Sequence, residues 1–260
     1  MIPESEITAW GLTRPWPTRD AIEQDLVLAR LIVEIYQNPV LAEELVFRGG
    51  TCLHQLRLAT PRRFSEDLDF VRRSQDGIGP VFDALRDVAE RVGLEVYGRS
   101  ISMRPKFRMR APAESGSGSF LRVKVEINTH ESSPAEPLVR VPFAVATSWF
   151  TGNAEVLTFT EEELISTKLR ALYQRKKGRD LFDLWLAVTE MKLVPEEIVR
   201  AFATYRPVGY TKVTATQNLQ DKLLDATFRE DLDALVINWP VDYSIDDAAE
   251  LVIGQIFALL

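Results

Sequence analysis

Apolar and polar residues alternate strictly along Leu121-Arg122-Val123-Lys124-Val125-Glu126-Ile127-Asn128. A period of two puts Val123, Val125 and Ile127 on one face and Lys124, Glu126 and Asn128 on the other, as in a half-buried strand. Such patterning predicts strands over 94–101, 103–111 and 120–128, with shorter ones at 45–47, 139–141 and 156–159. The run Glu114-Ser115-Gly116-Ser117-Gly118-Ser119 reads as the tip of a hairpin. Residues 20–37 carry Ala21, Leu26, Leu28, Ala29, Leu31, Ile32, Val33 and Ile35, enough for a mostly buried helix stopped by Asn38-Pro39. A second helix over 80–92 ends at Gly93. Beyond Thr160, the N-cap of a capping box with Glu163, the pattern is helical, with breaks near Pro195, Pro207 to Gly209 and Trp239-Pro240. The fold class is α+β: a mixed-sheet domain over 1–158 and a helical domain over 159–260.

Composition narrows the setting. In 260 residues the chain has ample core for one large domain or two modest ones. Its single cysteine, Cys52, excludes an internal disulfide framework and points to a reducing compartment. Met1 to Glu6 has no basic or apolar signal segment, and no apolar run is long enough to span a bilayer, so a cytoplasmic location without membrane contact is expected. The net charge of −7 is uneven: from Asp180 onward there are 14 acidic and 6 basic residues, against 24 and 25 before it. Within the earlier part, Arg99, Arg104, Lys106, Arg108 and Arg110 form one basic cluster, and Arg170, Arg175, Lys176, Lys177 and Arg179 another. Each can be a solvated face. Their nearness in sequence to acidic strands favours a polyanionic substrate.

Those acidic strands carry the candidate chemistry. Phe47-Arg48-Gly49-Gly50-Thr51 reads as a short strand turning through two glycines into a helix over 51–58. Glycines let the backbone approach a ligand closely, and a helix start presents unpaired amides to a phosphate. In Ser65-Glu66-Asp67-Leu68-Asp69, the two aspartates at i and i+2 leave one strand face together, where hard oxygen ligands suit Mg²⁺ and phosphates. Glu126 is a third candidate carboxylate, either completing a metal site with Asp67 and Asp69 or taking a proton from an attacking hydroxyl. Lys168 lies 15 residues before Asp183, about 22 Å on a straight helix, but a break at Lys176-Lys177-Gly178 allows a hairpin that joins them. Asp180 reads as an ordinary first-turn acid. Arg62, Arg63, Arg72 and Arg73 are possible triphosphate or RNA contacts, and Trp149, Trp185 and Trp239 read as core anchors.

Gly49-Gly50-Thr51, Ser65-Glu66-Asp67-Leu68-Asp69, Lys124-Val125-Glu126-Ile127, Lys168-Leu169-Arg170-Ala171 and Gly178-Arg179-Asp180-Leu181-Phe182-Asp183 occur in one order that resembles the AbiEii, MenT-like nucleotidyltransferase toxins of type IV toxin–antitoxin systems. The resemblance implies a polymerase-β-like nucleotidyltransferase fold with a helical C-terminal domain. It implies Mg²⁺ and NTP use, nucleotide addition to the tRNA 3′ end that blocks translation, and a cognate antitoxin. By motif position it implies a catalytic set of Asp67, Asp69, Lys168 and Asp183, with nucleotide contact at Gly49, Gly50, Thr51 and Ser65. It further implies that a phosphate on Ser65 would silence the enzyme. Glutamate at 126, where many nucleotidyltransferases have aspartate, is a departure. Two other readings stay open: nucleotidylation of a small molecule or protein, and a catalytically silent nucleotide- or partner-binding module.

Overall fold

The computed structural model describes residues 2–102, 104–114, 118–131 and 133–260. The chain divides into two units, one of Met1–Ser133 with Leu138–Phe159, the other of Pro134–Pro137 with Thr160–Leu260.

The first unit is built on a seven-stranded mixed sheet. Its helices are α1 (Glu4–Thr13), α2 (Arg19–Gln37), α3 (Pro39–Glu44), α4 (Gly49–Cys52) and α5 (Gly79–Val92). Its strands are β1 (Leu45–Arg48), β2 (Asp67–Arg72), β3 (Glu95–Ser100), β4 (Lys106–Pro112), β5 (Phe120–Asn128), β6 (Val139–Ala146) and β7 (Thr151–Thr158), in the spatial order β3-β4-β5-β2-β1-β7-β6. β2 pairs antiparallel with β1 and parallel with β5. Phe107, Met109, Val123, Val125, Ile127, Leu68 and Phe70 are buried on one face of the sheet, with the buried positions of α2 and α5 in the same core. The alternating polar positions of β2, β4 and β5 stay partly open on the other.

Local signals account for most boundaries. Thr18 caps α2 by accepting the Ala21 amide, and Asn38 ends it by capping α3 through the Val40 and Leu41 amides, with Pro39 at the first helical position. Gly93 closes α5 at φ 85°, as the Gly93 stop predicts. The helix expected over 51–58 instead opens on the glycine pair itself, and its second half, Leu53–Arg57, is a π turn. β6 and β7 are longer than the expected 139–141 and 156–159 because tertiary pairing recruits weak strand formers such as Pro142, Ala144 and Gly152. α1 was not anticipated from the pattern.

The second unit contains α6 (Glu161–Gln174), α7 (Gly178–Thr189), α8 (Pro195–Phe202), α9 (Lys212–Leu223), α10 (Ala226–Arg229) and α11 (Ile245–Leu251). Thr160 caps α6, as expected. The return half of the capping box is replaced, because the buried Glu163 carboxylate accepts the Ala135 and Glu136 amides at 2.7 and 3.0 Å and the Tyr205 hydroxyl. α6 and α7 form the hairpin that the break at Lys176-Lys177-Gly178 allows. A Cβ at Gly178 would stand 2.3 Å from the Phe228 carbonyl, so only glycine fits where the two backbones meet. Lys222 donates to the Leu172 and Tyr173 carbonyls at the end of α6, satisfying acceptors that the helix leaves open. Burial pushes its ammonium down to about 8. Trp185 packs against Phe182, whereas Trp239, expected in the core, is 40% exposed. Among the described residues no helix is long and apolar enough to cross a membrane.

A buried polar knot joins α1, α2 and the π turn. Asp25 accepts from Trp10 Nε1 at 2.8 Å and Gln55 Nε2 at 2.7 Å, with Arg14 Nε at 3.3 Å. Burial pushes its carboxyl up to about 6, against the pull of Arg14 and the two donors. A folded-state value raised above the unfolded one favours the folded state most at low pH, and this contribution is lost as pH rises through about 6. Wild-type stability relative to Asp25→Asn should therefore fall by up to about 3 kcal/mol between about pH 4 and about pH 7, measured by urea unfolding. A pH-independent difference between the two proteins would contradict the assignment.

Candidate active site

Strand register assembles the polar face. Asp67 stands opposite Lys124 and Asp69 opposite Glu126 across the β2–β5 pair, while Lys106 and Arg108 of β4 stand opposite Glu126 and Lys124. Residues in register on adjacent strands share a face, so three carboxylates and three cations meet there. Lys124 Nζ lies 2.8 Å from Asp67 Oδ2 and 3.7 Å from Glu126 Oε2. Glu126 also takes Lys106 at 3.3 Å and Arg104 at 3.9 Å. Burial works to lower the Lys124 pKa, but the bond to Asp67 and the charges of Asp67, Glu126 and Asp69 together raise it. Lys124, which the sequence presented as one polar strand position among several, is therefore the residue that ties the carboxylates together.

The glycine pair sits against this face. Arg48 pairs with Asp69 across β1–β2, so the next residue passes over the Asp69 carboxylate. Gly49 has φ 84°, and a Cβ there would lie 2.4 Å from Asp69 Oδ2. A Cβ on Gly50 would meet Arg63 Nη2 at 2.6 Å and Ser65 Oγ at 2.9 Å. Thr51 Oγ1 hydrogen-bonds Ser65 Oγ at 3.0 Å and the Asp67 carbonyl, fastening the turn to the start of β2. Cys52 is packed, with Sγ 3.2 Å from Thr158 Oγ1. The motif is thus a backbone laid directly against a carboxylate strand, a place that excludes side chains at two successive positions.

The donor set fits Mg²⁺ in part. Mg²⁺ uses one or two carboxylates with substrate phosphates supplying further oxygens, and Asp67 and Asp69 on one face match that demand. Among the described residues no three carboxylate, imidazole or thiol groups converge as a metal cage. Glu126, a candidate third ligand, is held by Lys106, Lys124 and Arg104.

In the second unit, Lys168 Nζ lies 2.8 Å from Asp183 Oδ2 and 3.6 Å from Asp180 Oδ1. All three are buried. Asp180 is no ordinary first-turn acid, since Arg175 grips it with two bonds of 2.6 and 2.8 Å. Its burial follows from the α7 face shared with Asp183 three residues on, a spacing that could have flagged it.

A profile of one protein family, the nucleotidyltransferase AbiEii toxins of type IV toxin–antitoxin systems, matches residues 30–249. The chain belongs to the AbiEii family. Among solved structures, the nucleotidyltransferase toxin MenT4 of Mycobacterium tuberculosis shares the fold, with TM-score 0.66 and 19% identity over 100% of this chain and 90% of that one. An antigenic nucleotidyltransferase-like protein of Paracoccidioides brasiliensis aligns with 75% of this chain and 92% of its own at 19% identity, but its TM-score of 0.38 is too low to carry an argument. No curated protein matches the sequence.

The basic residues of this AbiEii protein separate into two kinds. Lys176 pairs with Asp225, and Lys177 and Arg179 with Asp231. Arg170 lies over the Tyr205 ring. The second cluster is therefore largely neutralised by its own unit rather than held out as a phosphate track. Arg63 is buried under the glycine turn, Arg72 is buried on Glu44, and Arg73 pairs with Glu43. Arg63 and Arg72 thus serve the fold. By contrast, Arg99, Arg108 and Arg122 carry no salt bridge among the described residues, and two of them share the carboxylate face.

Removing Lys168 takes the ammonium from two buried carboxylates and leaves Arg175 on Asp180, a change that costs about 3–5 kcal/mol in buried pairs. Lys168→Ala and Asp183→Ala should each lower the urea midpoint strongly, and the double variant should lose less than the sum. Additive losses would show that the two side chains act independently.

Proposed function

We propose that the protein transfers a nucleoside monophosphate from an NTP to the 3′ hydroxyl of an RNA, with tRNA as acceptor, and that this blocks translation. The observation that carries the reading is the register that sets Asp67 and Asp69 beside Glu126 under the Gly49 turn. Membership of the AbiEii family makes the protein a nucleotidyltransferase of a toxin family; the RNA acceptor, Mg²⁺ and the cytoplasm are the further steps of this proposal. MenT4, which shares the fold, is itself a nucleotidyltransferase toxin.

The acceptor oxygen forms a bond to the α-phosphorus as the bond to pyrophosphate breaks, and the hydroxyl proton passes to Glu126. Gly49 and Gly50 admit the triphosphate close to the backbone, and Lys124 and Lys106 balance charge on the same face. Mg²⁺ held by Asp67 and Asp69 would neutralise the phosphate oxygens on which charge builds. Lys168 and Asp183 are assigned to the reaction by the motif order of the family. The type IV system supplies the expectation of an antitoxin partner.

Incubating the protein with each labelled NTP and total RNA, then with purified tRNA, tests the reading. Label in tRNA that depends on Mg²⁺ is expected; label only in a small molecule or a protein would replace it with the second open reading. Asp67→Asn and Asp69→Asn should each abolish transfer while circular dichroism stays native, because a metal ligand is lost without a substitute. Near-normal turnover in folded Asp67→Asn removes the metal assignment. Ser65→Glu should be inactive too, since Ser65 Oγ is packed against Thr51 and Gly50 and a new carboxylate there repels the triphosphate. Full activity in Ser65→Glu would show that the nucleotide does not pass this point.

A further inference from the structure

On the carboxylate face of β5, Glu126, Lys124, Arg122 and Phe120 succeed one another at two-residue steps, a line of about 20 Å. Its far end is aromatic, which the core does not explain: Phe120 and Tyr97 are 41% and 40% exposed on a face otherwise charged. Tyr97 lies on that face two residues from Glu95, which stands opposite Arg110, and the break in the β3–β4 register between Val96 and Gly98 leaves Tyr97 without a cross-strand partner. The Arg110 guanidinium lies between the two rings, 5.4 Å from the Tyr97 centroid and 5.0 Å from that of Phe120. Glu95 pins it with two bonds of 2.9 and 3.1 Å. Its charge is matched and its plane fixed, so it acts as part of a flat surface rather than as a phosphate clamp. Between this surface and the carboxylates, Arg108 and Arg122 are free of acidic partners among the described residues.

We propose that the Tyr97–Arg110–Phe120 surface stacks a base of a single-stranded RNA acceptor whose backbone follows Arg122 and Arg108 toward Glu126. This rests on the RNA reading above and assigns the acceptor's path. Planar rings beside unpaired arginines are how single strands are held, since every unpaired base offers a face to stack and every phosphate a charge. A duplex keeps its bases stacked on one another and has no face to give. An acidic protein would engage Arg108 and Arg122 but would not need a planar ring at 120.

The full chain is titrated by fluorescence anisotropy with a labelled single-stranded oligouridine of about eight nucleotides. Phe120→Leu should weaken binding by about 5- to 100-fold, the loss of one stacked base, while Phe120→Tyr binds as the wild type does. Arg108→Ala with Arg122→Ala should weaken binding and reduce the salt slope by about 1.4, two phosphate contacts on a single strand. Phe120 is half exposed, and an unchanged melting midpoint in Phe120→Leu certifies the fold. Equal affinity of Phe120→Leu and wild type, equal losses in Phe120→Leu and Phe120→Tyr, or duplex RNA bound as tightly as single strand overturns the proposal. Parallel transfer assays separate the two readings. If wild type labels RNA but the variants bind it unchanged, the path falls and the RNA reading stands. If wild type labels only a small molecule or protein, the RNA reading falls and the path with it.

Discussion

The approach of Gly49 to the Asp69 carboxylate is the constraint on which the acidic face depends. Asp69 is fixed on both sides, by Arg48 on β1 and by Glu126 on β5. Because β1 ends where it does, the chain must turn over that carboxylate, and a positive φ with no Cβ is the only backbone that passes. The same turn starts α4 and places Thr51 to bond Ser65 and the Asp67 carbonyl. Strand position, turn and helix start are therefore one unit, and a side chain at 49 would disturb all three.

Buried charge is the second theme, and it takes opposite forms. Around Lys168 the charges are paired side chain to side chain, with Asp180 and Asp183 completing the set. Around Glu163 a lone carboxylate is satisfied by two amides and a tyrosine hydroxyl. Around Asp25 the donors are too few to offset burial, and the carboxyl is pushed toward its neutral form. The first two satisfy their buried groups with matched partners. The third makes part of the first unit's stability depend on pH below about 6.

The charge of the surface also sorts by partner. A net charge of −7 argues weakly against a polyanionic substrate, yet the sheet face keeps arginines without acidic partners, while the lysines and arginine that follow α6 are spent on Asp225 and Asp231. Availability, rather than count, decides what a basic residue can bind.

Much was legible from the residues alone. The period-two run at 121–128 told which side chains of β5 face the core, since a pleated strand leaves no other option. Gly93, Asn38-Pro39 and Thr160 marked helix ends through local hydrogen bonding that needs no distant partner. The aspartates at 67 and 69 declared a shared face, and Lys176 to Gly178 a helical hairpin. Register was beyond the sequence: nothing local told that Asp69 would stand opposite Glu126 rather than two residues away, or that Lys124 would bridge them. The diversion of Glu163 from its cap and the neutralising of Lys176, Lys177 and Arg179 were likewise settled by residues 27 to 54 positions distant. Short-range geometry is written in neighbouring residues, whereas strand pairing and ion pairing are chosen among many distant partners by the packing of the whole unit.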